Sequence, residues 1–238
     1  MIVTLVIAVV AVIESQTPRA GDAPVVVELF TSQGCSSCPP ADALLRRLAA
    51  DPKLRGKVIP LAYHVDYWNH LGWRDPFSSR AWSQRQGDYV RAMKLPSAYT
   101  PQIVVNGARE MVGSHSMQVV RAIEEESRRK HDGRVNVRID RGQAIVRAQA
   151  AQPGVELVIV TFEDGAADTK VARGENRGRT VANDAIVRSL TRTAAPRGRA
   201  IEQRVALGKA NGVAAFLQQE GTRRIVASAA ASTRGPAR

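Results

Sequence analysis

Cys35 and Cys38, in the stretch "TSQGCSSCPPAD", are the only two cysteines of the 238-residue chain, and their setting limits the fold more than any other feature. The preceding run "PVVVELF", residues 24–30, is almost continuously apolar, with one acid, Glu28. Such a run reads as a strand buried on both faces. The following run "PPADALLRRLAA" places Ala41, Leu44, Leu45 and Leu48 on one helical face. Pro39 and Pro40 suit a first helical turn, where the amides lack intrahelical partners. A Cys-x-x-Cys pair between a strand and a helix puts a sulfur beside the positive end of the helix dipole. That favours thiolate over thiol and lowers the cysteine pKa from about 8.5 into the range of roughly 3.5–7.5. Cys35 is then expected to be the exposed nucleophile and Cys38 the more buried resolving thiol. Three readings of the pair are open: a redox couple, half of a metal site, or a structural staple.

The pattern continues with a second strand, "KVIPLAYHV", residues 57–65, and a long aromatic loop, 66–79. A helix follows over 77–95, weakened by Gly87. A third strand is "PQIVVNG", 101–107, whose Asn106-Gly107 turn leads to a return strand, 109–113. An amphipathic helix spans 114–130. The order strand, helix, strand, helix, strand, strand, helix resembles the thioredoxin core. Helical crossovers between the first, second and third strands predict that they are mutually parallel. From "DGRVNVRIDRGQ" onward the pattern changes to alternation, with strand-like runs at 134–140, 144–149, 155–163, 184–191, 201–207, 213–219 and 223–230. The expected fold is therefore an α/β thioredoxin-like N-terminal domain (β-α-β-α-β-β-α) followed by a mainly antiparallel β C-terminal domain. The corresponding divisions are a signal-like or anchor segment and linker at 1–23, the first domain at 24–132, the β-rich domain at 133–231 and a tail at 232–238.

The segments "VVVELFTSQGCSSCPPADALL", "LAYHVDYWNHLGWRDPFSSRAWSQRQ", "YTPQIVVNG" and "GENRGRT" together resemble the DUF1223 family, described as predicted secreted bacterial proteins with a thioredoxin-like domain. The resemblance spans about residues 24–190 and is most specific in its front half. It implies a thioredoxin-like fold, an exported protein and a thiol site, and leaves the substrate open. In a thioredoxin-like fold Thr100-Pro101 would be a cis peptide facing the cysteine pair and positioning a substrate chain; X-Pro bonds are the ones that tolerate cis. The chain departs from ordinary thioredoxins at Gly34, where they carry an aromatic. Their buried first-strand acid has Glu28 as its nearest match, a few residues before Cys35. Glu28 either serves as a buried base with a raised pKa, or pairs with an arginine or points to solvent.

Ser36 and Ser37 either hydrogen-bond the Cys35 thiolate or cap the helix. His64 and Asp66 end the second strand at the edge where sites in open α/β sheets form. His64 either tunes Cys35 or bonds a loop carbonyl. Copper binding by Cys35 and Cys38 with His64 or His115 is the main rival to redox chemistry, since thiolate and imidazole suit Cu(I). A structural zinc site needs four ligands, typically two such cysteine pairs, and only one pair exists. No cofactor is expected. The loop "RGENRGR", 173–179, is either a solvated hairpin tip or a dock for an acidic partner.

The formal charge is +12, and residues 134–238 carry 18 basic side chains against 9 acidic ones. These charges are scattered singly and not interleaved with aromatics, which argues against nucleic acid as a partner. The expected partner is a protein thiol or disulfide. Residues 2–13 are apolar except Thr4. That is the length of a signal-peptide core and too short to span a bilayer, which takes about 20 residues. No membrane contact is expected beyond a possible anchor there. Export to the periplasm or beyond would place the cysteines in an oxidising compartment.

Overall fold

The computed structural model describes residues 23–165 and 167–233. The apolar segment 2–13 and most of the expected tail lie outside the described residues. The first half contains β1 (Val25–Thr31), α1 (Pro39–Ala50), β2 (Val58–His64), a 3-10 turn (Asn69–Leu71), α2 (Arg80–Ala92), β3 (Gln102–Val105), β4 (Arg109–Val112) and α3 (Ser116–Ser127). The second half is strands: β5 (Gly133–Asp140), β6 (Gln143–Ala150), β7 (Val155–Glu163), β8 (Ala167–Lys170), β9 (Thr180–Asn183), β10 (Ile186–Ala194), β11 (Ala200–Ala206), β12 (Gly212–Gln219) and β13 (Ile225–Ser232).

These elements do not divide into a thioredoxin-like domain followed by a β domain, and that expectation is corrected here. One mixed eight-stranded sheet runs through both halves, in the order β13-β12-β7-β10-β2-β1-β3-β4. The fold is mostly β among the described residues. The junction is β10 against β2, parallel, where Ile186 pairs with Ala62 and the Ala62 amide donates to the Ala185 carbonyl at 2.8 Å. The physical reason lies in β7 and β12. Val158, Val160, Phe162, Ala214 and Phe216 join the core of the helical half. Their neighbours Leu157, Ile159, Val213, Ala215 and Leu217 pack under a second sheet of order β11-β6-β5. Strands apolar on both faces must be covered on both faces, so β7 and β12 lie between the two layers. By contrast β11 alternates exposed and half-buried positions, as a strand with one wet face does.

A second correction concerns β3. It pairs with β1 antiparallel, Leu29 opposite Ile103, whereas β2 pairs with β1 parallel. The segment after α2 carries the chain back to the edge where β1 and β2 end, so β3 enters from that edge. Its first contact there is Thr100 with Cys35.

α1 begins with Cys38 as its N-cap and prolines in its first turn. It buries Ala41, Leu44, Leu45 and Leu48, the face expected from spacing. α2 starts at Ser79, in extended geometry, whose hydroxyl accepts from the Ala81 amide at 3.2 Å. Substituting such a cap by Ala costs about 1 kcal/mol.

Candidate functional site

β1 ends at Thr31, and a tight turn then delivers the cysteines to the start of α1. The Cys35 amide donates to the Ser32 carbonyl at 3.1 Å, and the Cys38 amide to the Cys35 carbonyl at 3.3 Å. Cys35 and Cys38 form a disulfide, with Cα atoms 5.4 Å apart. Both residues are fully buried, so the expectation of an exposed Cys35 beside a buried Cys38 is not met.

Three walls enclose the disulfide. The first is the turn before β3. The Thr100-Pro101 bond is cis, and the Thr100 hydroxyl donates to Cys35 Sγ at 3.3 Å. That hydroxyl accepts from Trp68 Nε1 at 2.8 Å. The second wall is the aromatic loop. A Cβ at Gly34 would lie 3.3 Å from Cβ of Trp68. Trp68 therefore packs where a side chain at position 34 would begin, which accounts for the missing aromatic before Cys35. Trp73 Nε1 donates to Gln33 Oε1 at 3.3 Å.

The third wall comes from the second half of the chain. In the loop joining β8 to β9, Asn176 is fully buried. Its Nδ2 donates to the carbonyls of Gln33 (3.0 Å) and Cys35 (2.8 Å). The neighbouring Glu175 carboxylate accepts from the Ser36 amide at 2.9 Å. The Ser36 hydrogen bonds hold the Glu175 carboxyl below the ordinary glutamate pKa. "RGENRGR" is thus tied to the cysteine turn through Asn176 and Glu175, while its arginines stand in solvent.

Of the serines, Ser37 Oγ lies 3.3 Å from Cys35 Sγ, while no side chain caps α1. The Ser37 hydroxyl thus meets the Cys35 sulfur as part of a disulfide, and neither serine caps the helix. His64 is buried, with Nδ1 2.7 Å from Asp75 Oδ2. The same Asp75 oxygen accepts from the Gln33 amide at 2.8 Å. His64 is therefore bonded to a carboxylate, which in turn holds the cysteine turn. Burial works to raise the Asp75 pKa, but His64 and the hydrogen bonds from His64, Gln33 and Phe77 outweigh it and keep it low. Asp66 is not brought to the cysteines; it bonds Ser83 on α2 at 2.5 Å. His115 stands exposed at the start of α3. Among the described residues, no group of three or more His, Cys, Asp or Glu side chains is arranged to hold a metal ion.

Glu28 points to the face away from α1. Arg85 Nε donates to its Oε1 at 2.7 Å and the Tyr89 hydroxyl to its Oε2. The alternative of an arginine partner is the one observed. The buried carboxyl on the cysteine side is instead Asp42 of α1, one helical turn beyond Cys38. Its amide donates to the Cys38 carbonyl at 3.1 Å, and its Oδ1 accepts from the Thr31 hydroxyl at 2.9 Å. Burial, opposed chiefly by His64, pushes the Asp42 carboxyl up to about 7. His64 Nε2 is buried without a hydrogen-bond partner, whereas buried polar groups are normally paired; the Asn183 side chain faces Asp42 and works to lower its pKa.

Sequence reasoning missed Asp42, Asp75 and Asn176. Asp42 was visible as an acid among apolar helix positions. The loop that carries Asn176, "RGENRGR", stands out in the sequence, but nothing in it shows that Asn176 turns inward to the cysteine turn 141 positions away.

Comparison with known proteins bears on this arrangement. Residues 26–225 match the family model described as "Protein of unknown function (DUF1223)". No curated protein matches. The chain is similar to the crystal structure of protein AGR_C_4864 from Agrobacterium tumefaciens, at 28% identity and a TM-score of 0.70, covering 87% of this chain and 92% of that one. It is also similar to HBP35 of Porphyromonas gingivalis, at 14% identity and a TM-score of 0.59, covering 89% and 75%. The second likeness speaks to the fold alone.

Proposed function

Because the chain belongs to the DUF1223 family, whose description names no function, we propose from the geometry of the site that it exchanges thiols and disulfides through Cys35 and Cys38. The supporting observation is the disulfide at the first turn of α1 with the Thr100 hydroxyl 3.3 Å from Cys35 Sγ. In the reduced protein, the helix end and the hydroxyls of Thr100 and Ser37 favour a Cys35 thiolate.

The Cys35 thiolate attacks a substrate disulfide, forming a mixed disulfide and releasing one substrate thiolate. The Cys38 thiol gives its proton to the Asp42 carboxylate, and the new thiolate attacks Cys35 Sγ. The second substrate thiolate leaves and takes the proton from Asp42. Two electrons pass from the cysteine pair to the substrate, and the reverse sequence oxidises a substrate dithiol. A carboxyl with a pKa near that of its medium suits both directions of transfer. Glu28 is committed to Arg85 and takes no part. Export is part of the proposal, because a persistent disulfide is compatible with an oxidising compartment.

Trapping tests it. Cys38→Ala is expected to accumulate mixed disulfides on Cys35 that mass spectrometry identifies, while Cys35→Ser accumulates none. The wild-type pair is expected to equilibrate with glutathione at a definite potential. A pair that never exchanges with glutathione, together with a Cys38→Ala variant that traps nothing, would sink the proposal.

A further inference from the structure

The loop between β8 and β9 is folded on itself. The Val171 amide donates to the Arg179 carbonyl (2.9 Å), and the Gly178 amide to Val171 (2.8 Å). Asn176 and Glu175 pin it to the cysteine turn. A Cβ at Gly174, where φ is +74°, would lie 3.4 Å from Cβ of Trp73. The loop is therefore a fixed wall of the site, and it carries Arg173, Arg177 and Arg179, all exposed. Arg74, beside Trp73, is exposed as well. Where the loop enters β9, a groove of about 400 Å³ runs between Thr180–Ala182 and the outer face of α1. It begins at Pro39, the residue after Cys38, and includes Arg46 and Arg47.

None of these six arginines forms an ion pair with an acid among the described residues; the Arg179 guanidinium donates to the Asn176 side-chain carbonyl, at 3.2 Å. Glu175, an exposed carboxylate held by the Ser36 amide, offsets one of these charges, while Asp42 and Asp75 are buried. Asp168, exposed on β8, pairs in register with Ala182 of the groove wall and is a second exposed acid near it, so the rim keeps a net positive charge of six arginines against two acids. Elsewhere in the second half, Arg188, Arg192 and Arg223 are paired with Glu163, Asp88 and Glu156.

We propose that this arginine rim is a docking surface for acidic polypeptide, so that the preferred substrates carry Asp or Glu beside their reactive cysteine. The proposal rests on the exchange reading of the site. The forked guanidinium donors match carboxylates in geometry as well as charge. A rim of one sign raises association rates by about 10–10³ at low salt, and salt removes the gain because exposed charges are screened over about 8 Å at physiological ionic strength.

Three peptides test it, each carrying one cysteine as a mixed disulfide with thionitrobenzoate and differing only in Glu, Gln or Lys beside that cysteine. The rate of thionitrobenzoate release by the reduced protein is measured at low and high salt. The Glu peptide is expected to react about tenfold or more faster than the Gln peptide at low salt, with the Lys peptide slowest, and the differences to vanish at high salt. In Arg173→Gln/Arg177→Gln and in Arg46→Gln/Arg47→Gln, the Glu advantage is expected to shrink while the Gln-peptide rate holds, which shows the variants folded. Equal rates for the three peptides, a Lys preference, or variants that keep the full Glu advantage would overturn the docking surface. Failure of every peptide to react would instead sink the exchange reading beneath it.

Discussion

Two buried polar clusters lie on opposite faces of β1, and they are finished differently. On the α2 face, Glu28 accepts from Arg85 and Tyr89, Arg85 donates to Tyr89 at 3.2 Å, and Gln218 Nε2 donates to the Tyr89 hydroxyl at 3.0 Å. The Arg85 guanidinium also lies over the rings of Tyr63, Tyr89 and Phe216. The Tyr63 hydroxyl also faces Glu28, though without a hydrogen bond of ordinary geometry. On the α1 face, His64 Nε2 is buried without a partner, and Asp42 is met by the Thr31 hydroxyl and, more loosely, by the Asn183 side chain. A closed network fixes a structure. An open one, in a low-dielectric setting, retains groups that can exchange a proton. The contrast separates the acid that holds the fold from the acid proposed for chemistry.

The largest expected effect tests the closed network. Arg85→Met leaves Glu28 as an uncompensated buried charge and is expected to cost about 3–5 kcal/mol, read by urea unfolding. A loss below about 1 kcal/mol would erase the distinction between the clusters.

Asp42→Asn tests the open one. In the native protein the carboxyl sits near 7, above the value of about 3.9 for an unfolded aspartate. The folded state therefore holds a proton that the unfolded state has lost. Stability falls as pH rises from about 4 toward 7, by up to about 1.4 kcal/mol per pH unit. The variant lacks this slope, so denaturation midpoints of the two proteins are expected to diverge in its favour across that window. Release of substrate from the mixed disulfide is expected to slow by about 10²-fold or more and to lose its inflection near pH 7. Parallel pH curves would remove Asp42 from the proton path.

A smaller effect is expected from Asn176→Ala, which strips the side-chain donor from two buried carbonyls and is expected to cost about 1–3 kcal/mol. Hydrogen exchange is expected to quicken at the Ser36 amide, while Val27 and Leu29 in β1 stay protected. The smallest is Ser79→Ala, a lost helix cap worth about 1 kcal/mol, which thermal unfolding would register with no change in exchange rate.

What was readable in the sequence was local. The strand before Cys35, the proline-started helix after it and Thr100-Pro101 each announce themselves within a few residues. The seven strand-like runs of the second half recur as β5, β6, β7, β10, β11, β12 and β13, within about two or three residues. Pairing partners were not readable. Glu28 meets Arg85 57 positions away, and Asn176 reaches Cys35 across 141. No periodicity reports such distances. "VELVIVTFE" did hold a clue to the joined sheet, because a strand with one wet face alternates and this one does not. Its neighbours β8 and β9 were missed because four-residue strands flanking a Gly-rich loop carry too short a pattern.

The join between β10 and β2 has a consequence for anyone trimming this chain. A fragment ending after α3 would keep every helix and both cysteines, yet it would strip β10 from β2 and β7 and β12 from the α2 layer. β2 would then lose the partner of its Ala62 amide and expose apolar side chains that β7 and β12 now cover, a surface open to pairing with another copy. Such a fragment is expected to precipitate as β-rich aggregate, so the cysteine site is best studied in the whole chain.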